Sequence, residues 1–159
     1  MSRRAESLAA RIVEGASELA AYAEGLSETQ WNSRVKDGRT VGVVVHHVAS
    51  VYPIEVDLAK TVASGKPVTG VTWEAVAEMN AKHAGDHAST PKAETLELLR
   101  KNSREAADAV RAFTDEQLDR AAPFSLSYGA PVTAQFVIED HALRHSWHHL
   151  AKIQAALGK

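Results

Sequence analysis

With 159 residues, 45% apolar and 24% charged, the chain is long enough to bury a core and too apolar to read as disordered. A formal net charge of −2 gives no electrostatic reason to expect nucleic acid or an anionic membrane as partner, and no run of about 18 apolar residues predicts a membrane span. The absence of cysteine excludes disulfides, thiolate ligands and a cysteine nucleophile.

The N-terminus leads straight into a charged amphipathic pattern with no apolar signal region, so a cytoplasmic location and a single domain over residues 1–159 are expected. The first helix is predicted from Ser2 to Glu24, on Leu8, Ile12, Ala16, Leu19 and Ala23. Gly25 stops it, and Ser27 to Gln30 has the form of a capping box for a short turn. The second helix begins after Thr40, a suitable N-cap, and runs to about Ala63. Its apolar row is Val43, His47, Val51, Ile54, Leu58 and Val62, and Pro53 predicts a kink or break inside it. A shorter helical piece, Trp73 to about Ala84, lies on the connection to the third helix.

The third helix opens with Thr90 as N-cap and Pro91 at the first position, with a seam of Leu96, Leu99, Ser103, Ala106, Val110 and Phe113. Thr114 to Gln117 forms another capping box, and residues 121–130 read as loop. The fourth helix starts near Thr133 and ends at Leu157 before Gly158. No convincing strand alternation appears. Four amphipathic helices of this length predict an all-α four-helix bundle with a short extra helical segment between the second and third. Trp31, Trp73 and Trp147 are expected to pack in the core, Trp147 being also near enough to wall a pocket.

Six of the eight histidines fall in two clusters, His46-His47 and His141, His145, His148, His149. His145 and His149, four apart, stand one turn above each other. They share the row Ile138, Ala142, His145, His149, Ile153, Ala156, whose other members are all apolar, whereas His141 and His148 rotate toward Arg144 and Lys152. On the second helix the same test points His47 inward and His46 away. Three inward imidazoles from two helices need several partners each, and a divalent ion satisfies three ring nitrogens at once. Imidazole suits zinc, nickel, copper and iron. The alternative is three separately hydrogen-bonded core histidines. No His-Glu-x-x-His occurs, and the helical rows place no carboxylate set inward as a di-iron bundle requires. Asn80, His83, Asp140, His148 and Tyr128 are candidates for the mouth of a pocket, and Asp140 or Asp57 for support of a ligand imidazole.

The stretch Gly38 to Ser50 resembles the second-helix motif of the DinB/YfiT-like metalloprotein superfamily, and His145 to Ile153 resembles its fourth-helix motif, His-x-x-x-His with a hydrophobic tail. Order and spacing fit over essentially the whole chain, most closely in the YfiT branch; the departure is Lys152, where relatives often carry Gln or His. The resemblance implies zinc or nickel on residues matching His47, His145 and His149, and it allows a homodimer. It also implies a small-molecule substrate. Relatives include S-transferases using low-molecular-weight thiols such as bacillithiol, mycothiol or glutathione, and others assigned as metal-dependent hydrolases. A transferase is therefore expected, with a hydrolase of small esters or amides and a non-catalytic metal-binding bundle as alternatives.

Overall fold

The computed structural model describes residues 1–158. Helix α1 (Arg3–Glu24) begins where the Ser2 hydroxyl accepts the Ala5 N–H at 3.0 Å, and it buries Leu8, Ile12 and Leu19 completely. A short α2 (Glu28–Trp31) carries the expected capping box on Ser27 and Gln30. Helix α3 (Val41–Ala63) is capped by Thr40, and α4 (Trp73–Asp86) follows on the connection. Helix α5 (Lys92–Arg111) packs along both α1 and α3. After α6 (Asp115–Asp119), with its capping box on Thr114 and Gln117, the chain returns through α7 (Ala134–Val137), a π-helical stretch (Ile138–Leu143) and α8 (Arg144–Ala156). This last run packs on α1 and α3 and closes the four-helix bundle. Full burial of each large apolar side chain, such as Leu8, Leu99 or Ile153, contributes about 1.5–3 kcal/mol.

Several local expectations are corrected. Helix α3 runs through Pro53 without a break. Proline removes the N–H that would bond the Ala49 carbonyl, and the Asn102 side chain of α5 donates to that oxygen at 2.8 Å instead. Asn102→Ala leaves a buried carbonyl without this donor. It is expected to cost about 1–3 kcal/mol, read as a lower denaturation midpoint at unchanged m-value. The α3 row expected to face the core divides. Val43 and Val62 are buried, but Ile54 is 45% exposed and Leu58 half-buried, because this side of α3 borders a cavity; Val44, Val45, Val48 and Tyr52 fill the core.

Helix α5 starts one residue later than expected, with Pro91 as N-cap and no side-chain cap, since the Thr90 hydroxyl donates to the His87 carbonyl. Residues 121–133 are not simply loop. Ala121–Pro123 pairs antiparallel with Pro131–Thr133, around a turn in which Tyr128 and Gly129 have φ of 57° and 81°. Strands of three residues are too short to show an alternating pattern.

The π stretch was also unforeseen. At 100° per residue the row from Ile138 to Ile153 drifts about 60° on a regular helix. The wider π turns rotate the chain less per residue, and Ile138, Ala142, His149 and Ile153 all end buried, although Ala156 at the helix end is exposed. Of the tryptophans only Trp31 is in the core, while Trp73 is 49% and Trp147 41% exposed. One helix, Val41–Ala63, is long and apolar enough to cross a membrane by length and composition, but 67% of that window is buried within the bundle.

Candidate metal centre

His47 sits two turns into α3, and His145 and His149 one turn apart on α8. The three rings meet. The Nε2 of His145 lies 3.1 Å from that of His47 and 2.9 Å from that of His149, with the rings nearly perpendicular. His47 and His149 are each 5% exposed. Burial pushes the His47 imidazole down to about 4 and that of His149 to about 2, with neighbouring cationic and imidazole groups adding to the effect. Burial also holds His145 well below its ordinary value.

Three neutral imidazoles cannot satisfy one another here. Each has a single N–H, and the buried Nδ1 of His149 has no partner. If each ring carries its proton on Nδ1, three lone pairs converge, which is the donor set of a divalent ion. Ligands about 2.0–2.1 Å from a tetrahedral ion stand about 3.4 Å apart, and the closer pairs here fall within about 0.5 Å of that. The donor set therefore fits such an ion.

Glu55, one turn beyond Val51 on α3, was not singled out from sequence. It is 7% exposed, and its Oε1 lies 3.3 Å from His145 Nδ1, close enough to pair but not aligned as a hydrogen bond. Burial alone pushes its carboxyl up to about 8. The sequence reading held that no carboxylate set faces inward; one carboxylate does, and it meets the outer nitrogen of a ligand imidazole. Asp57 and Asp140 do not fill that role: Asp57 is exposed, and Asp140 lies 3.7 Å from His141 Nε2.

A cavity of about 590 Å³ opens on the three rings. Val51, Ile54, Leu58, Val76 and Met79 give it apolar walls, and Arg39, Arg144 and Lys152 bring three cations to it. Arg39 is held by Asp37, its Nη2 2.7 Å from Asp37 Oδ2, which leaves its buried Nη1 without a partner. Asn80, Asp140 and His148 line the cavity as expected, and the buried Asn80 Oδ1 also lacks a partner. Trp73 lines it too, its indole N–H donating to the Leu126 carbonyl at 3.1 Å.

Two candidates are placed elsewhere. Tyr128 is 90% exposed on the tight turn. His83 is not at the cavity; its Nε2 faces His46 Nδ1 at 2.8 Å. Trp147 does not wall the cavity either.

Below pH 6.5 the unfolded chain protonates histidines that the fold keeps neutral, so stability present above 6.5 is lost as pH falls toward about 4. Glu55 acts oppositely between 4.5 and about 8, but it is one group against three. The melting temperature of chelator-treated protein is expected to fall between pH 6.5 and 5, and by less in His149→Asn; equal falls in the two proteins contradict this account.

A model of the DinB superfamily matches residues 11–153. Among solved structures, similarity extends to YfiT from Bacillus subtilis, assigned as a probable metal-dependent hydrolase with an unusual four-helix bundle topology. It is 21% identical, over 98% of this chain and 87% of that one, with a TM-score of 0.74. The mycothiol-dependent maleylpyruvate isomerase is 14% identical at a TM-score of 0.71, over 94% of this chain and 60% of that longer one. An uncharacterized protein from Clostridium difficile 630 is 14% identical at a TM-score of 0.75, over 99% and 98%. Comparison with curated proteins gives no match. At these identities the likeness is one of fold.

Proposed function

Since the chain belongs to the DinB superfamily, we propose that it is a metal-dependent S-transferase, joining a low-molecular-weight thiol to an electrophilic small molecule. His47, His145 and His149 hold the ion, zinc or nickel. A divalent ion bound there lowers the pKa of a thiol brought to it.

The observation that carries this reading is the set of three cations, Arg39, Arg144 and Lys152, in a cavity whose lining beside the histidines also has the apolar wall of Val51, Ile54, Leu58, Val76 and Met79. Arg39, with its unpartnered Nη1, together with Arg144 and Lys152 offsets the negative charge of a thiolate and of carboxylates on its carrier. Acidic thiols such as glutathione or bacillithiol suit that charge best. The apolar wall receives the electrophile. In the reaction the thiol proton passes to solvent, a sulfur–carbon bond forms, and the leaving group departs with its electron pair. Its name gives the isomerase relative a thiol requirement, which supports the reading. A cytoplasmic setting, where such thiols stay reduced, suits it.

The second reading is hydrolysis. It is favoured by His141 and Asp140, which line the cavity 3.7 Å apart and offer a general base for water. Metal-loaded protein incubated with glutathione, bacillithiol or mycothiol and a chlorodinitrobenzene or epoxide electrophile separates the readings. Adduct that requires both thiol and ion supports transfer. Ester or amide turnover without thiol supports hydrolysis instead, and no turnover in either assay supports a non-catalytic metal-binding bundle. Arg39→Gln is expected to raise KM for an acidic thiol about tenfold or more at little change in kcat, since a hydrogen bond to a charged group contributes about 1.5–3 kcal/mol.

A further inference from the structure

His46, His83 and His87 form a second group of imidazoles beside the first. His46 Nδ1 is 2.8 Å from His83 Nε2. The His87 ring stacks on His46 with centroids 4.0 Å apart and lies 4.6 Å from that of His83. One ring nitrogen from each of the three lies within 4.8 Å of the other two, and all three residues are half-buried. The buried Nδ1 of His83 has no partner.

Apolar packing does not account for this convergence. Helix α4 buries none of its residues. Its apolar side chains Trp73, Val76 and Met79 face the cavity, and its C-terminal end meets α3 through these rings. His83 and His87 are four apart, so two imidazoles emerge from one face at the end of α4 toward a third on α3. A hydrogen bond between His46 and His83 satisfies one nitrogen on each ring and does nothing for His87.

We propose that His46, His83 and His87 hold a second divalent transition-metal ion, of the imidazole-preferring class of zinc, nickel or copper, which pins the end of α4 against α3. These ligands are distinct from His47, His145 and His149, so the inference stands apart from the proposed function. It adjoins the first group where the His83 ring meets His47 edge-on, centroids 5.7 Å apart, and it borders the cavity through the α4 wall that carries Trp73, Val76, Met79 and Asn80.

Zinc titration of the full chain against a chromophoric chelator tests it, with His83→Gln/His87→Gln and His47→Ala/His145→Ala/His149→Ala variants checked for helicity by circular dichroism. The wild type is expected to take up two equivalents and each variant one. A His83/His87 variant that binds as much zinc as wild type overturns the inference. If the wild type binds a single equivalent, the variant that loses it decides. Loss only in the triple variant overturns the second site, and loss only in the His83/His87 variant supports it while removing the first. His87→Asn alone, at the helix end, repeats the test should the double variant lose helicity. Amide exchange across residues 73–86 is expected to slow about tenfold with the second equivalent in wild type and not in the variant; unchanged exchange in wild type overturns the pinning.

Discussion

His145→Ala is expected to abolish ion binding at the first centre and bring the proposed thiol transfer down to background. His145 is the middle of the three: its Nε2 faces those of both His47 and His149, and its Nδ1 faces Glu55. Alanine therefore removes one ligand and also separates the buried carboxyl from the centre. Loss of a group that merely supports a ligand weakens metal affinity about 10- to 100-fold, so loss of the ligand itself exceeds that. A ligand at a thousand times its Kd stabilises a fold by about 4 kcal/mol. A clear rise in melting temperature on adding zinc or nickel is thus expected for wild type, and a much smaller one for His145→Ala. An equal rise in both proteins contradicts the assignment.

Glu55→Gln carries the second large effect, with two opposite signs. When an ion occupies His145 Nε2, the ring proton must sit on Nδ1, where the Glu55 carboxylate, 3.3 Å away, offers it a negative partner that favours this orientation of the ring. Glutamine keeps the volume and loses the charge, so metal affinity is expected to fall about 10- to 100-fold. Without an ion the carboxyl is a liability. Burial pushes it up to about 8, from 4.5 in the unfolded chain. A raised acid contributes stability that is full below 4.5 and lost as pH rises through about 8. Metal-free Glu55→Gln is therefore expected to melt higher than metal-free wild type at pH 8, with the gap closing toward pH 4.5. Melting curves of chelator-treated proteins at those two pH values check the second sign, and competition with a chelator checks the first. A variant that binds metal as tightly as wild type refutes the role given to Glu55.

The bundle and the histidine triad were legible because both depend on one periodicity. The rows through Leu8–Ile12–Leu19 and Leu96–Leu99–Val110 repeat every three or four residues, and the same spacing sets His145 above His149. Glu55 was missed because a glutamate inside an apolar helix reads as solvated until its burial against a partner helix is known. His46 was correctly rotated away from His47, but a helical wheel cannot show that α4 would bring His83 and His87 to it. The α3 row through Ile54 and Leu58 looked like core because periodicity distinguishes one side of a helix from another, not a packed interior from a cavity wall. The ribbon at 121–133 and the π stretch leave too few residues for any period to register.

The metal content of the purified, desalted chain, set against that of His47→Ala/His145→Ala/His149→Ala, tests the central claim most directly. Elemental analysis is expected to find that the triple variant, still helical, has lost one equivalent of divalent transition metal relative to wild type. Equal metal in the two proteins, or none in wild type after loading with zinc or nickel, would contradict it.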